Sequence, residues 1–175
     1  MSARTASAVC GALLSVLVLA APAQTEKPSS PADPAAMWKA ECSSCHMAYP
    51  PGLLPERSWR KMMMELDKHF GQNASLDAAA TKAILDYLVE NSAERSTHRR
   101  ASRFLRAVPA TASPLRITEN AYFVREHREI APDVWKLPKV GSPANCSACH
   151  ADAEQGNFSP TLAENSLNAG FSFFA

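Results

Sequence analysis

The longest regular pattern in this 175-residue chain runs from Glu56 to Val108, a stretch without proline in which apolar residues recur at helical spacing. Trp59, Met63, Leu66 and Phe70 fall on one face, predicting an amphipathic helix over Glu56 to Phe70, with Gly71 where a stop is expected. His69 lies at the edge of that stripe, from which a side chain can reach into a neighbouring pocket. Ser75 is the expected N-cap of a further helix that buries Leu76, Ala80, Ala83, Ile84, Tyr87 and Leu88 and ends near Glu90 to Ser92. Upstream, Ala35 to Glu41 is a good helix former. Tyr49 to Pro55, with three prolines and Gly52, predicts an apolar loop.

The second half is less periodic. Pro114, Pro132, Pro138, Pro143 and Pro160 exclude long helices. One helical patch is expected at Ala121 to Ile130, where Phe123, His127 and Ile130 align. Between the halves, Pro109 to Pro114 turns to Pro, Ala, Ser and Thr and suggests a boundary. Arg95 to Arg106 carries five arginines and His98 without an acid. Such a run is more often a solvated face, or a set of partners for cofactor carboxylates, than a docking patch for an acidic protein. After Ala151 the periodic signal is poor. Phe158 is a candidate cover for a cofactor edge, while Phe171, Phe173 and Phe174 are undecided.

The first 23 residues have the layout of a secretory signal peptide: Arg4 in a short basic region, an apolar run from Val9 to Ala20, and the small-x-small site Ala21-Pro22-Ala23. The expected mature chain begins near Gln24, in the periplasm, with residues 24–34 a proline-rich flexible leader. Removing the signal takes away Arg4 and leaves 17 basic against 17 acidic residues, a neutral balance that gives no support to nucleic-acid binding.

The cysteines change the picture most. Cys42-Ser43-Ser44-Cys45-His46 and Cys146-Ser147-Ala148-Cys149-His150 are both C-x-x-C-H, the spacing that attaches a c-type haem. Two thiols so spaced can add to the two vinyl groups of one haem and leave the following imidazole over the iron. The fifth cysteine, Cys10, lies in the signal segment. Zinc held by two C-x-x-C pairs is the competing reading, and the histidine after each pair argues against it. The expectation is two covalent haem c groups, tethered by Cys42, Cys45, Cys146 and Cys149, with His46 and His150 as proximal ligands. The expected fold is mainly α: a helical haem domain over residues 35–108, and a largely irregular one with short helices over 109–175. Haem would supplement cores that are marginal at that size.

Function turns on the sixth ligands. Two strong protein ligands suit an iron that cycles an electron, whereas an open position can bind small molecules. Outside the motifs the histidines are His69, His98 and His127. Met62, Met63 and Met64 are the methionine alternative, close in sequence to His46. The favoured pairing is His46 with His69 and His150 with His127; spacing alone leaves a crossed assignment open. His98, in the arginine run, is the weakest candidate.

The two motifs, together with Tyr49-Pro50-Pro51-Gly52-Leu53-Leu54-Pro55, Arg57-Ser58-Trp59, His69-Phe70-Gly71, Pro114 to Glu119 and Tyr122 to His127, resemble the small bacterial dihaem cytochromes c over about Trp38 to Phe158. That resemblance implies a periplasmic electron carrier with bis-histidine haems and no catalytic residues. Its implied partners are redox proteins, such as a small oxygen-binding monohaem cytochrome c or a membrane-bound cytochrome, with no small-molecule substrate. The alternative is a dihaem peroxidase or reductase, or a haem-based ligand-binding protein, with one open iron.

Overall fold

The computed structural model describes residues 33–159. The signal segment, Cys10, most of the proline-rich leader and the terminal phenylalanines lie outside them. Five α-helices occur among the described residues: α1 (Pro34–Cys42), α2 (Glu56–Met64), α3 (Ala78–Glu90), α4 (Arg99–Arg106) and α5 (Ala121–Glu126), joined by loops with short 3-10 turns. No strand occurs among them, only an isolated bridge between His69 and Gln72. The fold is mainly α. The described residues belong to one compact unit. No helix among the described residues is long and apolar enough to cross a membrane.

α1 begins where its sequence says a helix should: the Asp33 carboxylate accepts a hydrogen bond from the Ala35 amide at 3.1 Å, and Pro34 occupies a first-turn position that needs no donor. It ends on Cys42, so the helix delivers the first motif. α1 and α2 both pack on α3, with Trp38 against Tyr87 at a ring distance of 5.2 Å. Leu54, Trp59, Met62, Met63, Ile84 and Leu88 make the centre of the core, and Phe104, Ile117 and Tyr122 extend it towards the second half. The Trp59 indole N–H donates to the Pro51 carbonyl at 2.8 Å, a necessary partner for a buried polar atom. Gly52 allows α4 to approach this loop: a Cβ there would meet the Ser96 hydroxyl at 3.0 Å and the Ala101 methyl at 3.2 Å.

Three expectations need correction. α2 stops at Met64 instead of Phe70, because Glu65 leaves helical geometry (φ −119°, ψ 28°) and the chain tightens into a 3-10 turn at Leu66–Lys68. Phe70 is consequently 44% exposed and outside the core, with the Arg116 guanidinium 4.3 Å over its ring. α3 is capped by Asp77 and not by Ser75: its carboxylate accepts from the Ala79 and Ala80 amides, both at 2.9 Å, and a charged acceptor suits the positive end of a helix. α5 closes at Glu126, with His127 as its C-cap and Ile130 in the following turn. The arginine run, for which no element was specified from sequence, contains a helix, α4, whose Ala101 and Phe104 are buried on one side. Its charge density hides that short apolar stripe.

The chain between the halves is tied down. The Arg57 guanidinium donates to the carbonyls of Ala112 and, at 3.0 Å, Pro109. Asn120, itself buried, accepts from the Tyr122 amide at 2.8 Å and donates to the Phe104 carbonyl at 3.1 Å, joining the start of α5 to the end of α4.

Candidate haem sites

Each C-x-x-C-H motif is met by one distant histidine. The rings of His46 and His69 lie 6.0 Å apart with their planes 25° apart. Those of His150 and His127 lie 6.2 Å apart with their planes 83° apart. Two imidazoles that each bind one metal through a nitrogen about 2 Å away have ring centroids about 6 Å apart, so both pairs have the spacing of axial ligands on either side of an iron. His98 joins neither pair. Its ring Nδ1 accepts from the Arg100 amide at 3.2 Å and caps α4.

Local structure fixes the rings. The Nδ1 atoms of His46 and His127 lie 2.7 Å from the Met47 carbonyl and 2.8 Å from the Phe123 carbonyl; that of His150 lies 3.4 Å from the Ser159 carbonyl. A ring N–H given to a carbonyl leaves Nε2 as the free lone pair and raises its basicity, which is how ligating histidines are commonly held. His69 differs: its Nδ1 is buried with no hydrogen-bond partner among the described residues. Burial, and then the neighbouring His46, holds the His69 pKa below its ordinary value. Burial likewise lowers that of His150, with the Ser159 carbonyl opposing and His127 and Arg100 adding to the shift. Both rings are therefore kept neutral, the form that binds metal.

The cysteines fit addition to vinyl groups better than zinc. Burial, and then the Glu41 carboxylate, pushes the Cys42 thiol up to about 11, and burial raises Cys146 and Cys149. Among the described residues no three His, Cys, Asp or Glu side chains group closely enough to hold a metal by themselves, so neither cysteine pair is completed into a zinc cluster.

The second site is a cavity of about 480 Å³ bounded by Cys146, Cys149, His150 and His127 and walled by apolar side chains including Phe123 and Trp135. Phe123 stacks on His127 at 4.0 Å, and Phe158 stands edge-on to His150 at 5.7 Å. Arg99, Arg100 and Arg103 also line this cavity. Arg95 instead pairs with Glu56 at 3.0 Å, so the run is not one uniform solvated face.

Sequence reasoning missed how the two motifs meet. Tyr49 stacks on His46 at 4.9 Å, and its hydroxyl donates to the Ala144 carbonyl at 2.8 Å, two residues before Cys146. The Ser147 hydroxyl reaches the Met47 sulfur at 3.6 Å. Only the pairing of the tyrosine with an apolar proline loop hinted that this segment had a packing role.

A mainly helical fold with two C-x-x-C-H motifs, each facing one further histidine, defines a c-type cytochrome with two haem sites. A family model for dihaem cytochrome c matches residues 38–158. Among solved structures, a dihaem cytochrome c from Rhodobacter sphaeroides is similar at 47% identity and TM-score 0.63, covering 70% of this chain and 95% of that one. A dihaem cytochrome type c from Shewanella baltica OS155 is similar at 42% identity and TM-score 0.58, covering 72% of this chain and 88% of that one. A search of curated proteins gives no match. The chain belongs to the dihaem cytochrome c family, and its cofactors are two c-type haems with iron.

Proposed function

We propose that this protein is a periplasmic electron carrier in which Cys42 and Cys45 tether one haem between His46 and His69, and Cys146 and Cys149 tether the other between His150 and His127. The observation that carries the reading is the pairing of both motif histidines with a second imidazole about 6 Å away. An iron closed on both faces exchanges electrons with little rearrangement and offers no substrate position. Haem supplies the redox couple; the chain's work is to orient four imidazoles, hold the outer nitrogens of His46, His127 and His150 and keep water from the cavity walls.

Contact between the motifs supports passage of electrons from one haem to the other: Tyr49 links the first haem's ligand to the segment that presents the second. Two different imidazole-plane angles support two distinct potentials, both below that of a His/Met cytochrome c. The resemblance supports a redox protein as partner, either a small oxygen-binding monohaem cytochrome c or a membrane-bound cytochrome. The signal-peptide pattern supports export.

The test is separate replacement of His69 and His127 by alanine in the holoprotein. Each change should convert one of the two haems from low spin to high spin and leave the other as it was. A native spectrum after either change refutes that ligand assignment.

A further inference from the structure

We propose that His69 is an exchangeable ligand, so that the first haem takes up small exogenous ligands by displacement while the second stays closed; this rests on the bis-histidine reading above. The argument is the difference between the two distal histidines. His127 caps α5: its amide donates to the Phe123 carbonyl at 3.1 Å, its ring Nδ1 lies 2.8 Å from the same oxygen, and Phe123 and Trp135 flank the ring at 4.0 and 6.0 Å. His69 has less support: its ring meets Phe70 of its own loop edge-on at 4.8 Å, with no carbonyl holding Nδ1. It follows a single 3-10 turn whose closing bond to the Leu66 carbonyl is long, 3.4 Å, and its Nδ1 is buried without a partner.

The residues after His69 add to the imbalance. Phe70 is a non-glycine residue in the left-handed region (φ 49°) that is 44% exposed as a residue, and Gly71 follows at φ 91°. A bulky residue in that conformation is strained, and a buried unpaired N–H is costly. Swinging His69 away from the iron relieves both, because the loop relaxes and Nδ1–H reaches water. At the other site the same motion breaks a hydrogen bond and an aromatic stack. Beside the backbone bonds from the Gln72 amide to the His69 carbonyl (3.0 Å) and from the Ala74 amide to the Leu66 carbonyl (2.8 Å), the side-chain contact holding the first loop is the Arg116 guanidinium over the Phe70 ring at 4.3 Å. In the exchange, the iron–nitrogen bond is replaced by a bond to the incoming ligand, His69 Nε2 leaves as neutral imidazole, and no electron changes hands.

The experiment is titration of the oxidised holoprotein with potassium cyanide, followed by absorption and electron paramagnetic resonance. The two haems are separable because near-parallel imidazole planes (25°) give a rhombic low-spin signal and near-perpendicular planes (83°) a strongly anisotropic one. The rhombic signal should be replaced at cyanide concentrations roughly 10- to 100-fold below those that touch the other, the usual effect of losing an outer-shell partner. Arg116→Ala, which leaves every ligand in place, should tighten cyanide binding at the first haem by roughly two- to five-fold, the worth of an exposed cation–π contact, and leave the second unchanged. Conversion of the anisotropic signal first, equal conversion of both, or resistance of both overturns the proposal while leaving two closed haems. A high-spin haem before any cyanide is added would instead overturn the bis-histidine reading, and the proposal with it.

Discussion

Replacement of Asn120 by alanine tests how the fold holds His127, the proposed distal ligand of the second haem. The Asn120 side chain is buried and makes two bonds: it caps α5 by accepting from the Tyr122 amide at 2.8 Å, and it donates to the Phe104 carbonyl of α4 at 3.1 Å. Loss of an N-cap costs about 1 kcal/mol, and the bond to Phe104 contributes about 1 kcal/mol more. The Phe104 carbonyl keeps one other donor, the Ala107 amide at 3.2 Å, so it is not orphaned, but the Tyr122 amide is left without its cap in a buried place. The expected total is about 2–3 kcal/mol. Asn120→Ser keeps a capping oxygen and loses only the reach to α4, so it should cost about 1 kcal/mol. Urea unfolding of the two variants measures both, from the shift in midpoint at constant slope. Because α5 ends on His127, the alanine variant should also disturb the low-spin bands of the second haem and spare the first. An alanine variant within about 0.5 kcal/mol of the parent, or a serine variant no better than alanine, would refute the reasoning.

Two further outcomes follow from the core and from an ion-pair cluster. Trp59→Phe removes the indole N–H that the Pro51 carbonyl accepts at 2.8 Å in a buried position and should lower stability by about 1–3 kcal/mol in the same unfolding assay. The Glu56 carboxyl lies within 3.0 Å of both Arg60 and Arg95. Its pKa is lowered, first by the hydrogen bond from Arg60 and then by the charges of both arginines, against a smaller opposing effect of burial. A folded-state pKa below the unfolded one means stability that is present above the ordinary carboxyl range and lost as pH falls through the folded value. Glu56→Gln should therefore lose stability at neutral pH and show a flatter decline on acidification, read from thermal unfolding between neutral pH and pH 3.

How far the sequence carried depended on whether the signal was local. The C-x-x-C-H spacing is a covalent requirement confined to five residues, so Cys42 to His46 and Cys146 to His150 could be picked out without any knowledge of the fold. The proline-free stretch gave α3 and most of α2 because a buried helical face repeats over several turns. Phe70 failed for the converse reason. It continued the apolar spacing, but Glu65 had already left the helix, and the side chain was taken up by Arg116, a contact set by tertiary structure. α4 was hidden because only Ala101 and Phe104 carry its buried side, among residues chosen for charge. The two distal histidines were chosen from three by helical register, and the structure brings each near a motif histidine; His98 is occupied as a cap. The Tyr49 link to Ala144 spans 95 residues and left no periodic trace.

The most direct measurement of the central claim is the absorption and electron paramagnetic resonance spectrum of the holoprotein, oxidised and reduced, with no ligand added. The account predicts two low-spin, six-coordinate haems in both states, one rhombic and one strongly anisotropic when oxidised, and no high-spin component. A high-spin signal from either iron would mean an open coordination position and would contradict the bis-histidine account of both haems.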